Sequence, residues 1–236
     1  MFFDNKEYAS QEIQLFPIVV KKYRYKNYKI LKEFIGRHLV SSKYQKTNNF
    51  DGVKTYFQPN DASSEIDSFF DSDEDVIIDF KNFCEKSASD YVDSVLEEQN
   101  SDMFCSNSWV NSYYLENSQQ CPHHHMNSYV CGNYYLEFDS KIHSDLHFVN
   151  PKINNVFNTA PHTSIFSNLK KPDLQSLKTY NQPSNPVQCV EGDLVIWPAW
   201  LVHQVPPSKK GRKTISMNFM PKVIRTVNYG FRVEKL

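Results

Sequence analysis

The chain has 236 residues, 40% of them hydrophobic, with 26 Lys and Arg against 27 Asp and Glu and a formal charge of -1, which suits one sizeable globular domain or two small ones. That balance excludes a protein whose main work is to coat nucleic acid, because coating needs a net basic surface to displace counterions; nucleic acid as a local substrate stays possible but is not indicated. No stretch approaches the roughly 20 apolar residues of a membrane helix, and the opening Met1-Phe2-Phe3-Asp4-Asn5-Lys6-Glu7 lacks the basic start and apolar run of a signal peptide, so the expected location is soluble and cytoplasmic.

Glu12 to Tyr25 holds the β-branched and aromatic run Leu15-Phe16-Pro17-Ile18-Val19-Val20 and reads as an edge strand, since Pro17 cannot donate to a ladder. Such an exposed edge offers a route to a homodimer. From Asn27 to about Leu39 the apolar residues recur every three or four positions, predicting an amphipathic helix. Ser41 to Ser68 is polar and carries the turn signals Asn48-Asn49, Asp51-Gly52 and Pro59-Asn60, so a long loop with short extended pieces is expected. Ser72 then reads as an N-cap. The apolar series Val76, Ile77, Phe80, Phe83, Cys84, Ala88, Tyr91, Val92 and Val95 keeps helical spacing behind an acidic first turn that suits the helix dipole.

After Asn107 the texture changes to short segments rich in Trp, Tyr, Val, Ile and Phe, punctuated by Asn, Pro and Gly. The expected plan is a single domain over 1–236, with 1–104 as a helical support region and a β-sandwich or barrel over 105–225. The five cysteines, odd in number and without a C-x-x-C pair, read as reduced packing residues.

Three consecutive histidines, His123, His124 and His125, precede a strand-like run. In extended backbone, residues two apart face the same way, so His123 and His125 can aim at one ion while His124 faces elsewhere. Three histidines alone are as readily a polar surface cluster. Gly192 to His203 joins a Gly-Asp turn to a buried strand, a Pro bend and a histidine, although a lone His at such a place is more often just hydrogen-bonded in the core. Nine residues on, Arg212, Thr214 and Ser216 alternate onto one strand face. Turned inward, Arg212 needs an anion, and a carboxylate matches its planar fork; turned outward, it meets water.

This set resembles the Fe(II)/2-oxoglutarate-dependent oxygenases, in particular a group common in marine bacteria and phages. The shared motifs are Leu15-Phe16-Pro17, Trp109-Val110-Asn111, His123-His124-His125, Cys131-Gly132-Asn133-Tyr134-Tyr135, Gly192 through His203, and Arg212-Lys213-Thr214-Ile215-Ser216-Met217-Asn218. The resemblance implies a double-stranded β-helix (jelly-roll) core supported by N-terminal helices, and, for a phage-encoded member, the host cytoplasm. It also implies a dioxygenase, or hydroxylase, that uses Fe(II), 2-oxoglutarate and O2, oxidises an unidentified substrate and releases succinate and CO2. His123 and His203 become metal ligands, and Arg212 the partner of the far carboxylate of 2-oxoglutarate, assisted by Thr214 and Tyr135. His125 stands where the wider superfamily has aspartate. Either it ligates, which its spacing and the resembling group favour, or that position stays open, or a carboxylate such as Asp145 or Asp139 reaches in. A small molecule or a protein side chain is the favoured substrate.

The alternative is a cupin, a metal-binding barrel that also carries H-x-H and a later His and serves other dioxygenases, isomerases or non-catalytic binders. A cupin has no use for Arg212, and usually shows a glutamate where this chain has Met126 to Tyr129.

Overall fold

The computed structural model describes residues 17–38, 46–50, 52–56, 69–151, 183–225 and 227–233. The chain runs β1 (Lys21–Arg24), α1 (Tyr28–His38), β2 (Lys46–Phe50), β3 (Val53–Tyr56), a 3-10 turn (Phe69–Asp71), α2 (Asp75–Val95), β4 (Met103–Tyr113), β5 (Ser118–His123), β6 (Val130–Glu137), β7 (Leu146–Val149), β8 (Ser184–Val187), β9 (Asp193–Pro198), β10 (His203–Ser208), β11 (Lys213–Pro221), β12 (Val223–Arg225) and β13 (Gly230–Arg232).

Strands β4 to β11 divide between two sheets. A seven-stranded sheet has the order β1-β9-β6-β11-β4-β3-β2, and a four-stranded sheet has the order β5-β10-β7-β8. All the pairings are antiparallel, and the chain crosses between the sheets as it goes, which is the double-stranded β-helix arrangement.

Strand periodicity splits the large sheet into two faces. Val110, Tyr134, Leu136, Leu194, Ile196, Ile215, Met217 and Phe219 point outward and pack under α1 and α2, against Leu31, Ile35, Ile77, Phe80, Cys84, Tyr91 and Val92. Phe80 sits at the centre, 4.6 Å from the Tyr134 ring and 5.0 Å from Tyr25. The alternate residues Tyr113, Cys131, Tyr135, Val195 and Trp197 point inward and meet Leu146, Phe148 and Val205 of the four-stranded sheet.

The first third departs from the expected helical support in one respect: it also supplies β1, β2 and β3 to the large sheet. The Asp51-Gly52 turn signal and the alternation of Val53 and Thr55 explain it. Gly52 has φ +70° and lies against Ser118 so closely that a Cβ would collide, so only glycine joins β2 to β3 here. β1 is an edge strand as expected, pairing among the described residues only with β9, but covers just Lys21–Arg24; Leu15 and Phe16 lie outside those residues. Gly192, at φ +88°, turns the chain into β9 and accepts from Tyr25 N at 2.9 Å, tying that edge strand to the core. Ser72 does not cap α2, because the buried pair Phe69 and Phe70 sets a separate turn; its Oγ instead accepts from Glu74 N at 3.4 Å, and no side chain caps the helix. Four of the five cysteines are buried and none is in a disulfide; Cys121 is exposed. Among the described residues, no helix is long and apolar enough to cross a membrane.

Candidate functional site

Strand pairing brings the two histidine motifs together. His123 closes β5, His203 opens β10, and the two are direct partners in the ladder. His125 lies just past β5, where its backbone N–H donates to Ala199 O at 3.1 Å, so the Pro198 bend positions it. The ring centroids are 4.4 Å apart for His123 and His203, 5.2 Å for His125 and His203, and 5.4 Å for His123 and His125. One donor nitrogen from each ring lies within 4.8 Å of the others. His124 is exposed, as the alternation predicts.

The tautomers follow from the neighbours. His123 Nδ1 lies 2.7 Å from Cys121 O, and His203 Nδ1 lies 3.1 Å from Leu201 O. A carbonyl only accepts, so each Nδ1 carries the proton and each Nε2 keeps a lone pair for a metal. His125 stacks on Trp109 at 5.8 Å and is hydrogen-bonded by Asn218. Burial holds all three rings neutral: His203 is pushed down to about 3 and His125 to about 4, each helped by neighbouring imidazoles, and His123 is lowered as well. Such a cluster is ready to bind a cation without first losing protons.

Among the described residues no carboxylate joins this group. Asp139 Oδ1 accepts from Lys141 N at 2.9 Å, and Asp145 Oδ1 accepts from Cys189 N at 3.3 Å, so both are engaged elsewhere. His143 bridges Asp139 N and Lys210 O, and His147 meets Ser184 Oγ; His162 lies outside the described residues.

The second half of the site is carried by β11. Its even-numbered residues face inward, and Arg212, just before the strand, is fully buried (0% exposed). Its guanidinium lies 4.6 Å from the Tyr113 ring, 5.5 Å from Tyr135 and 5.9 Å from Phe138. Among the described residues, Arg212 Nε, Nη1 and Nη2 and Tyr113 Oη have no hydrogen-bond partner. Burying an uncompensated charge costs several kcal/mol, so this pocket fits a missing anion, and a carboxylate matches the fork. Thr214 is buried one step along, paired across the ladder with Tyr135.

Tyr135 differs from expectation in detail. Its hydroxyl accepts from Leu146 N at 3.2 Å and reaches the Cys189 thiol, so its ring rather than its hydroxyl serves the guanidinium. Tyr113 has the unpartnered hydroxyl instead, and burial pushes it up to about 12, keeping it a neutral donor. The sequence signal for Tyr113 was its phase with Trp109 and Asn111 on β4, which places all three on the inner face.

A cavity of about 230 Å³ is lined by the three clustered histidines together with Trp109, Asn133, Trp197 and Ser216. Trp197 is buried and also walls this cavity, edge-on to His203 at 4.9 Å. On the other side of His125 a more open hollow is formed by Leu96, Met126, Tyr129 and Trp200.

No curated protein matches the chain. Among solved structures, the fold is shared with a prolyl-4-hydroxylase from Pseudomonas putida (11% identity, 86% of this chain and 92% of that one, TM-score 0.52). It is shared too with a Trichoplax adhaerens prolyl hydroxylase in complex with a hypoxia inducible factor peptide (12% identity, 85% and 83% covered, TM-score 0.55). A third is the epimerase SnoN in complex with Fe3+, alpha ketoglutarate and nogalamycin RO (10% identity, 87% and 80% covered, TM-score 0.56). Residues 107–220, just under half of the chain, hold all three clustered histidines and Arg212 and match the family described as "Putative 2OG-Fe(II) oxygenase".

Proposed function

We propose that this oxygenase holds its ferrous ion with Nε2 of His123, His125 and His203, and seats the far carboxylate of 2-oxoglutarate on Arg212 with Thr214 and Tyr113. The observation that carries this reading is the buried, unpartnered Arg212 on the same strand face as Ser216 and Asn218, which line the histidine cavity. When bound, iron and 2-oxoglutarate supply the oxidation of a substrate by O2, with succinate and CO2 released. The chain's own residues do the rest. The Cys121 and Leu201 carbonyls fix two imidazoles by their Nδ1 protons, Trp109 and Trp197 keep water from the inner wall, and Arg212 sets the depth of the cosubstrate. Three neutral imidazoles leave the centre one charge more positive than a set with a carboxylate, so the cosubstrate's own charge matters more for neutralising it.

The oxidised substrate is an unidentified small molecule or protein side chain, hydroxylated at the open side of His125. The prolyl hydroxylase seen with a peptide and SnoN seen with nogalamycin RO share the fold and illustrate both sizes. Residues 1–236 act as one domain. Anaerobic titration of Fe(II) and then 2-oxoglutarate, followed by the weak visible charge-transfer band, tests the assignment. The band should appear for the wild type and vanish in His203→Ala and Arg212→Ala. A band of unchanged strength in Arg212→Ala would overturn it.

A further inference from the structure

Across the floor of the cavity, four strands are stitched by a line of side-chain hydrogen bonds. Thr55 Oγ1 on β3 donates to Asn111 Oδ1 on β4 at 3.1 Å, Asn111 Nδ2 donates to Ser216 Oγ on β11 at 3.0 Å, and Ser216 Oγ donates to Asn133 Oδ1 on β6 at 3.2 Å. Thr55, Asn111 and Asn133 are all buried, at 1%, 1% and 5% exposure. The ladder enforces the alignment, because Ser216 is the direct partner of Asn133, and Thr55 the direct partner of Asn111.

We infer that Asn133 is a cosubstrate-binding residue: its carboxamide NH2 donates to the metal-side carboxylate of 2-oxoglutarate, oriented for that task by the relay from Thr55 through Asn111 and Ser216. With Oδ1 occupied by Ser216, the side-chain nitrogen of Asn133 is the atom left for the cavity that Asn133 shares with His123, His125 and His203. Hydroxyls can donate in either direction, so the ends of such a line set its polarity, and an anion in the cavity selects the donor-outward sense. Depth agrees. On β6, Tyr135 lies beside Arg212 and Asn133 lies two residues nearer the histidines, a step of about 7 Å that a five-carbon dicarboxylate spans. With one carboxylate on the guanidinium, the other falls at the level of Asn133 and Ser216. No carboxylate of the chain competes there among the described residues.

The inference rests on the reading of Arg212 and the three histidines given above, and the test separates the two. Protein loaded with Mn(II) is titrated with 2-oxoglutarate by calorimetry, and the Fe(II) form is followed anaerobically by its visible band. Asn133→Asp keeps the acceptor for Ser216 but turns an oxygen to the cosubstrate, and Asn133→Ala removes the donor; the loss of a hydrogen bond to a charged group is worth about tenfold to a hundredfold in the dissociation constant. Both variants should lose at least that much 2-oxoglutarate affinity with Mn(II) affinity kept, and Asn133→Asp should lose more than Asn133→Ala. Ser216→Ala and Thr55→Val, which free the carboxamide without removing it, should weaken binding about threefold to tenfold and shift the band. 2-Oxoglutarate binding within twofold of wild type in both Asn133 variants, in protein with an unchanged melting temperature, would overturn the assignment. If the wild type itself fails to bind 2-oxoglutarate, the site reading fails first, and this inference with it. Should Asn133→Asp not fold, Asn133→Ala and Ser216→Ala decide by the same criteria.

Discussion

The two faces of the seven-stranded sheet are built from alternate residues of the same strands, yet they are finished in different ways. The outer face is completed by the chain: α1 and α2 lay Leu31, Ile35, Phe80 and Tyr91 over it, and among the described residues a single buried polar atom, Tyr134 Oη, goes without a partner there. The inner face is left incomplete: among the described residues Arg212, Tyr113 and Trp197 carry unpartnered polar atoms there, and Trp197 also walls the histidine cavity. Apolar packing is self-sufficient because it needs only area removed from water. A buried donor needs a partner, and where the chain withholds one, a ligand is the natural source.

The comparison breaks most visibly if the faces respond alike to mutation. Phe80→Ala should cost about 3–5 kcal/mol of stability through transfer and cavity terms, read as a denaturant midpoint, while the 2-oxoglutarate affinity of the folded fraction stays put; an affinity that fell in step with stability would erase the distinction. Arg212→Met should do the reverse. It should lose about 3 kcal/mol or more of cosubstrate binding, because one carboxylate is left buried without its counter-charge, and yet melt higher than wild type in the ligand-free form. A melting temperature that dropped would mean that Arg212 is already satisfied without a ligand.

Acidity sharpens the contrast further. His203 sits at about 3 and His125 at about 4, below the ~6.5 of a histidine in an unfolded chain. With the folded value depressed, the unfolded chain takes up protons first, so metal-free protein keeps this stability above pH ~6.5 and loses it progressively as pH falls toward 4. Melting curves of metal-free protein from pH 7 to 4.5 check this, and a flat profile would contradict the burial of these rings. The smallest effect belongs to Tyr113→Phe, which removes one neutral donor and should raise the KM for 2-oxoglutarate by about fivefold, near 1 kcal/mol, with kcat little changed; no change in KM would remove Tyr113 from the site.

Much of this contrast was legible in the sequence because strand periodicity is a local property. The phase of Arg212, Thr214 and Ser216, the exposure of His124 between two clustered neighbours, and the helical spacing from Val76 to Val95 all emerge from residues a few positions apart. What escaped depends on contacts between distant segments. Thr55 belongs to a stretch that reads as polar loop, and only pairing of β3 with β4 brings it beside Asn111. The sequence points to Tyr135 as the donor beside Arg212, and only the reach of Leu146 N to its hydroxyl turns that role toward Tyr113. Ser72 reads as a cap because the burial of Phe69 and Phe70, which starts a separate turn, is a tertiary effect.

His203 opens β10 in the four-stranded sheet and Arg212 stands just before β11 in the seven-stranded sheet, so the connection through Gly211, at φ +97°, crosses from one sheet to the other. On the proposed reading, iron and cosubstrate would be anchored on the two sides of this crossing, at a separation counted in residues. An insertion or deletion of one residue at Lys209 or Lys210 would invert every side chain of β11 relative to the metal, expelling Arg212 toward the helices and swapping Ile215 into the cavity. A change of one residue in the length of this connection should therefore abolish 2-oxoglutarate binding in one step, while changes of composition at Lys209 and Lys210 should leave it intact.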